Sequence, residues 1–175
     1  MRGFGLVEAM VTIVILAILI SIAVPSYQHM IQNGRTRTIA ESFRAGVNLA
    51  RAEAMRRNGP VSFMVVSGTC TASATGTSWV VFLGTACSDG AVVQRFNANS
   101  AGVGVTVSAD RTTLLFNGVG MIAQSALSTR ITQITFGNSL PEGQRRRLQL
   151  NLTAGGLVRL CDPDIAATSD PRYCG

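Results

Sequence analysis

The sequence predicts an α+β protein: one long amino-terminal helix, membrane-spanning over its first half, packs its second half on an antiparallel β-sheet head. Three observations carry this reading. Residues 4–24 are apolar apart from Glu8, Thr12 and Ser21. Residues 26–58 keep a helical period. After Pro60 the period switches to two, with β-branched and aromatic runs between turn residues.

The first segment has the length of a bilayer crossing. As a helix, residues 4–24 reach about 31 Å, the thickness of the hydrocarbon layer. Arg2 precedes the run and holds its start on the cytoplasmic side, which leaves the rest of the chain outside the cytoplasm. A cleaved secretory signal fits poorly, because the apolar run is long and Pro25-Ser26-Tyr27 is a poor small-x-small site. Glu8 is the informative residue. A carboxylate in lipid is costly and marks either a functional partner or a side chain that snorkels to the head groups. Cleavage after Gly3 would free the α-amine of Phe4 one helical turn from Glu8, within reach also of a parallel neighbour. An amine and a carboxylate meeting in low dielectric give a strong register signal.

Gly3-Phe4-Gly5-Leu6-Val7-Glu8, followed by a long apolar helix with Pro25 near its end, resembles the class III signal of type IV pilins and pseudopilins. The resemblance implies that a prepilin peptidase cuts after Gly3 and methylates Phe4, and that Glu8 recruits the next subunit into a filament. Gly5 stands where that family usually has threonine or serine. The implied organisation is a leader at 1–3, a transmembrane and filament-core helix at 4–27, an amphipathic continuation at 28–60 and a β-rich head at 61–175.

In the continuation, Ile39, Phe43, Val47, Ala50 and Ala54 form one apolar stripe. Arg37, Arg44 and Arg51 recur every seven residues on roughly the opposite face and read as a solvated face, the sharper alternative being contact with acidic neighbours in a filament or with an anionic polymer. Pro25 can kink a helix in a membrane without ending it, and Asn58-Gly59-Pro60 is a strong stop. In the head, strands are expected at 61–67, 79–83, 92–96, 103–107, 112–116, 131–136, 147–152 and 157–161. Residues 147–152 alternate cleanly, as a half-buried antiparallel strand should. Residues 68–78 form a Gly/Ser/Thr-rich loop.

Four cysteines, Cys70, Cys87, Cys161 and Cys174, allow three pairings, or four reduced core thiols. The local pairs, Cys70 with Cys87 and Cys161 with Cys174, are expected; each closes a loop of about 15 residues, worth about 3 kcal/mol in the chain-entropy model. Disulfides place the head in an oxidising compartment.

Local strings in the head resemble the GspH/FimT branch of the pseudopilins. Leu49-Ala50-Arg51-Ala52-Glu53-Ala54-Met55-Arg56-Arg57-Asn58, leading into Pro60-Val61, is similar to that family's helix end and first strand, and Trp79-Val80-Val81-Phe82 to its central strand. Gly155-Gly156-Leu157-Val158-Arg159-Leu160-Cys161-Asp162-Pro163, then Asp170-Pro171-Arg172-Tyr173-Cys174, is similar to its carboxy-terminal hairpin and disulfide loop.

The net charge is +6, every basic residue except His29 is arginine, and there is no lysine. Such an excess attracts anions, or reflects an arginine-favouring genome. No constellation supports catalysis: there is one histidine, and GxSxG, HExxH and a P-loop lysine are all missing. Asp162, Asp164 and Asp170 do not have the spacing of a calcium loop. No enzyme activity, metal or cofactor is expected.

The resemblance therefore implies a structural minor pilin that primes or caps a type IV pilus, held in the bacterial inner membrane by a single pass with its head in the periplasm before entering the pilus or pseudopilus. Its partners would be other pilins, the prepilin peptidase and the inner membrane. An H-type pseudopilin of type II secretion is the close alternative. A DNA-binding pilin for natural transformation is another: Arg159 matches the end of a Gly-Arg-x-Arg motif in which Leu157 replaces the first arginine, and Arg145, Arg146 and Arg147 form a nearby basic cluster able to contact phosphates. A membrane-anchored periplasmic protein unrelated to filaments is the remaining reading.

Overall fold

The computed structural model describes residues 5–174, with side chains throughout except at residues 22–25 and 100. Gly3 and Phe4 lie outside the described residues. One helix, α1 (Leu6–Arg57), runs unbroken for 52 residues, about 78 Å at the usual rise. It passes Pro25 without interruption. Asn58 stops it in the left-handed conformation (φ 48°), and the amide of Gly59 reaches back to the Ala54 carbonyl at 3.1 Å. Arg56 and Arg57 in the last turn suit the negative end of the helix dipole and share Glu53 as their ion-pair partner.

Eight strands follow: β1 (Val61–Val66), β2 (Ser78–Leu83), β3 (Val92–Phe96), β4 (Val105–Ala109), β5 (Thr113–Phe116), β6 (Gln133–Asn138), β7 (Leu148–Leu152) and β8 (Val158–Cys161). They make two four-stranded antiparallel sheets, ordered β3-β2-β1-β5 and β4-β6-β7-β8. Both sheets pack against the second half of α1.

Phe43 is the joint of the three layers. Its ring meets Phe63 of β1 at 6.1 Å and Phe136 of β6 at 5.1 Å, both edge to face. The rings of Phe63, Trp79 and Phe96 continue the row across the first sheet at 5.8 Å spacings. The stripe Ile39, Phe43, Val47, Ala50 and Ala54 is fully buried. Midway along it, Gly46 lets the helix backbone touch the aromatics; an added Cβ would lie 2.8 Å from the Trp79 ring and 2.9 Å from Phe63.

The two sheets differ in what covers them. β7 alternates buried and half-buried residues, because only one face meets the helix. β1 is buried at all six positions. Its outer face joins a second cluster of Met64, Val66, Val80 and Phe82, which is roofed by Cys87, Ala91 and Val92. The disulfide Cys70–Cys87 (Cα–Cα 5.8 Å) ties that roof to the loop after β1. A second disulfide, Cys161–Cys174 (Cα–Cα 5.0 Å), folds the carboxy-terminal loop back on β8.

Two expected strands are displaced. The fourth begins at Val105 rather than 103, because Gly104 takes a left-handed φ of 78° and leaves Val103 exposed. The sixth begins at Gln133 rather than 131. Ile131 is buried, but its amide bonds the Thr113 carbonyl and the Thr132 amide bonds the Asp110 carboxylate, so neither enters the ladder. The solvated arginine face also needs correction at one position. Arg51 is half-buried, donates to the Gly156 carbonyl at 3.4 Å and lies along Gly120, so it packs the helix end on the β7–β8 turn.

Candidate assembly site

The first half of α1 leaves the head and presents apolar side chains on every side. Leu6, Val7, Ile13 and Leu19 are 60–75% exposed, and none of the most apolar stretch is buried inside the molecule. Two of the three polar side chains in residues 6–24 are satisfied locally: the Thr12 hydroxyl donates to the Ala9 carbonyl at 2.8 Å and the Ser21 hydroxyl to Ile18 at 2.7 Å. Such back-bonding is what a helix surrounded by hydrocarbon requires. Glu8 differs. It lies in the first turn, where the Glu8 and Ala9 amides donate to the Gly5 carbonyl, and the helix dipole favours its charge. Among the described residues its carboxylate has no hydrogen-bond or ion-pair partner.

A polar collar marks where the helix leaves the head. The Asn138 side-chain amide on β6 donates to Asn33 Oδ1 (2.9 Å) and to Thr36 Oγ1 (3.1 Å). Asn138 Oδ1 accepts the Leu140 amide, and Asn33 Oδ1 also accepts the Arg146 amide at 2.9 Å. Thr36 is fully buried and Asn138 nearly so. These bonds lock β6 and the β6–β7 loop to the helix near where its apolar half leaves the head. No sequence motif singled out Asn33, Thr36 or Asn138, since Asn138 lies over a hundred positions from the two helix residues it bonds and such a set has no local signature.

The arginines of the sequence reading are scattered among partners. Arg145 pairs with Glu142 at 3.5 Å. Arg147 grips Asp164, with Nε at 2.9 Å and Nη2 closer still; that hydrogen bond holds the Asp164 carboxyl below its ordinary pKa and raises the guanidinium. Arg159 donates to the Pro171 and Tyr173 carbonyls at 3.0 and 2.8 Å, and so braces the disulfide loop. It sits opposite Asn151 in the β7–β8 ladder, four residues along from Arg147, about 13 Å at the rise of a strand. Arg146 has no carboxylate within ion-pair distance among the described residues. Asp164 and Asp170 are taken up by Arg147 and Arg172, the latter pair pulling the Asp170 pKa down to about 2. No cluster of metal-ligating side chains occurs among the described residues.

A long helix, half clothed by a head of antiparallel sheets and half naked, with a carboxylate in its first apolar turn, is the build of the type IV pilin class. The family model described as type II transport protein GspH matches residues 40–156, and the prokaryotic N-terminal methylation motif matches residues 1–24. The chain belongs to the GspH family. A crystal structure of the type IV minor pilin FimU of Pseudomonas aeruginosa PAO1 shares the fold, with a TM-score of 0.51 and 16% identity over 73% of this chain and 88% of that one. A second crystal form of the same pilin matches at 0.48 and 17%, over 71% and 90%. No curated protein sequence matches the chain.

Proposed function

We propose that this chain is a non-enzymatic minor pilin that helps prime or cap a type IV pilus. The observation that carries the reading is the naked apolar half-helix with a carboxylate in its first turn that has no partner among the described residues. In the proposed sequence of events that half-helix holds the chain in the inner membrane with the head in the periplasm. A prepilin peptidase removes residues 1–3, and the freed Phe4 amine is methylated. On assembly the helix passes from lipid into a bundle of parallel pilin helices. This exchanges one apolar environment for another and costs little. Glu8 then meets an α-amine, its own or a neighbour's, and the pair in low dielectric sets the stagger between subunits. The two disulfides keep the head folded outside the cytoplasm.

The test has two parts. Mass spectrometry of the mature amino terminus should show a methylated Phe4. Glu8→Ala should leave the chain folded and in the membrane while its share in sheared filaments falls by about tenfold or more, the loss of a pair worth over 1.4 kcal/mol. An intact Met1 together with unchanged incorporation of the variant would overturn the proposal.

A second reading, the H-type pseudopilin of a type II secretion system, is favoured by membership of the GspH family, described as type II transport proteins. Deleting the gene separates the two: surface pili disappear under the first, and export of folded proteins stops under the second. Natural transformation receives less support, because Arg145, Arg147 and Arg159 are engaged within the chain and Leu157 offers no charge.

A further inference from the structure

We propose that a cleft of about 230 Å³ between α1 and the second sheet is a docking site for a single aspartate or glutamate side chain of a neighbouring acidic subunit. The proposal rests on the filament reading for where the partner stands, but not for the chemistry of the cleft.

Three arginines from three separate elements converge on this cleft: Arg37 from α1, Arg146 from the β6–β7 loop and Arg172 from the carboxy-terminal loop. Each is positioned by backbone or covalent structure. The Arg146 amide is fastened to Asn33 on the helix. Arg172 is carried to the rim by the Cys161–Cys174 disulfide and by the bond from the Asp162 amide to the Arg172 carbonyl at 2.8 Å. Their charge is only partly spent. Glu41 takes the Nε of Arg37 at 2.7 Å, and its terminal nitrogens have no acceptor among the described residues. Asp170 takes Arg172. Arg146 has no carboxylate partner among the described residues. Leu148 and Leu160 supply an apolar floor, which lowers the local dielectric and strengthens a bond formed there.

The chemistry selects one carboxylate rather than a polyanion. Glu41 pairs with Arg37, Asp170 pairs with Arg172 and Asp162 also lines the cleft, so Arg146 is its one cation without a carboxylate among the described residues. That leaves charge for one incoming carboxylate and not for a run of phosphates. A planar guanidinium suits a bidentate carboxylate. A second copy of this chain is a poor partner, because it carries the same net +6; a subunit of opposite charge is steered toward the cleft.

The test uses the full chain in neutral detergent micelles and fluorescence anisotropy with three labelled probes: a short Glu/Ala peptide with blocked ends, its Gln/Ala counterpart and single-stranded DNA. The Glu/Ala peptide should bind, the Gln/Ala peptide should not, and binding should weaken as salt rises past about 0.15 M. Arg146→Glu should weaken the Glu/Ala peptide by about tenfold, and Arg172→Glu should act likewise. Arg111→Glu, which makes the same change of charge at an exposed residue outside the cleft, should change it little. No binding of the Glu/Ala peptide, or equal loss in Arg111→Glu and Arg146→Glu, would overturn the proposal. So would DNA binding more tightly than the peptide and losing affinity in Arg146→Glu, since the cleft would then be a polyanion site. None of these readouts depends on filament assembly, so failure here leaves the pilin reading standing, and failure of Glu8→Ala leaves the carboxylate chemistry of the cleft standing.

Discussion

The same substitution at two helix glycines should have opposite effects. In a helix interior, glycine to alanine ordinarily stabilises by about 1 kcal/mol, because the flexible residue loses more backbone entropy on folding. At Gly34 a new Cβ meets nothing within 4 Å, so Gly34→Ala should gain roughly that amount. At Gly46 the same methyl would stand 2.8 Å from two atoms of the Trp79 ring and 2.9 Å from Phe63. Both rings are fully or almost fully buried and packed in the row that ends on Phe96, so neither can swing away. Overpacking of this kind costs about 1–3 kcal/mol, and rigid rings place it in the upper part of that range. Subtracting the propensity gain leaves Gly46→Ala destabilised by about 1–2 kcal/mol. Trp79 is the only tryptophan and reports on this contact directly. In urea unfolding followed by its emission, the midpoint should fall by roughly 0.5–1 M for Gly46→Ala and rise for Gly34→Ala. A Gly46→Ala protein as stable as the wild type would refute the packing described between helix and first sheet.

Further predictions concern the collar, the roof and the acid limb of stability. Asn138→Ala leaves the Leu140 amide and the Thr36 hydroxyl short of a partner and should cost about 1–3 kcal/mol; amide exchange should rise first in the β6–β7 loop, and unaltered exchange there would count against the collar. Replacing Cys70 and Cys87 together by serine should cost up to about 3 kcal/mol. It should also raise binding of an apolar dye as the roof over Met64 and Phe82 loosens; dye binding at the wild-type level would show that the roof holds without its tie. Asp110 is the residue to watch on acidification. Burial opposes its ionisation, but hydrogen bonds from the Thr132 hydroxyl and from the Gln133, Thr132 and Arg111 amides outweigh it and hold its pKa below the ordinary value. Its contribution is therefore fully present above the unfolded-state value of about 4 and is lost as pH falls through the depressed value. Asp110→Asn should flatten the acid limb of a stability–pH curve, and an unchanged slope would mean that these bonds do not matter.

Much of this protein can be read in one dimension, because the relevant forces act between near neighbours. A run of apolar residues, the four-and-three spacing of Ile39 to Ala54 and the stop at Asn58-Gly59-Pro60 are local facts, and α1 follows from them. Alternation in residues 148–152 marks β7 for the same reason. Strand ends were less legible. Whether Ile131 and Thr132 join a ladder depends on Thr113 and Asp110, which claim their amides from other segments. Complete burial of β1 was invisible too, since it depends on a roof brought over by Cys87.

The site divides along the same line. Glu8 in an apolar run and the Gly3-Phe4 motif stand out in one dimension, because each is defined by its immediate sequence neighbours. The arginines were not legible, because a guanidinium's role is set by what stands opposite it. Arg159 braces a loop, Arg147 holds Asp164, Arg51 packs a turn, and Arg146 lines a cleft with Arg37 and Arg172. By itself the sequence determined a helix that needs lipid or other helices around its first half. Only the tertiary structure decided which charges cancel inside the head and which stay available, because electrostatic pairing falls off within a few ångströms and those distances exist only once the chain has folded.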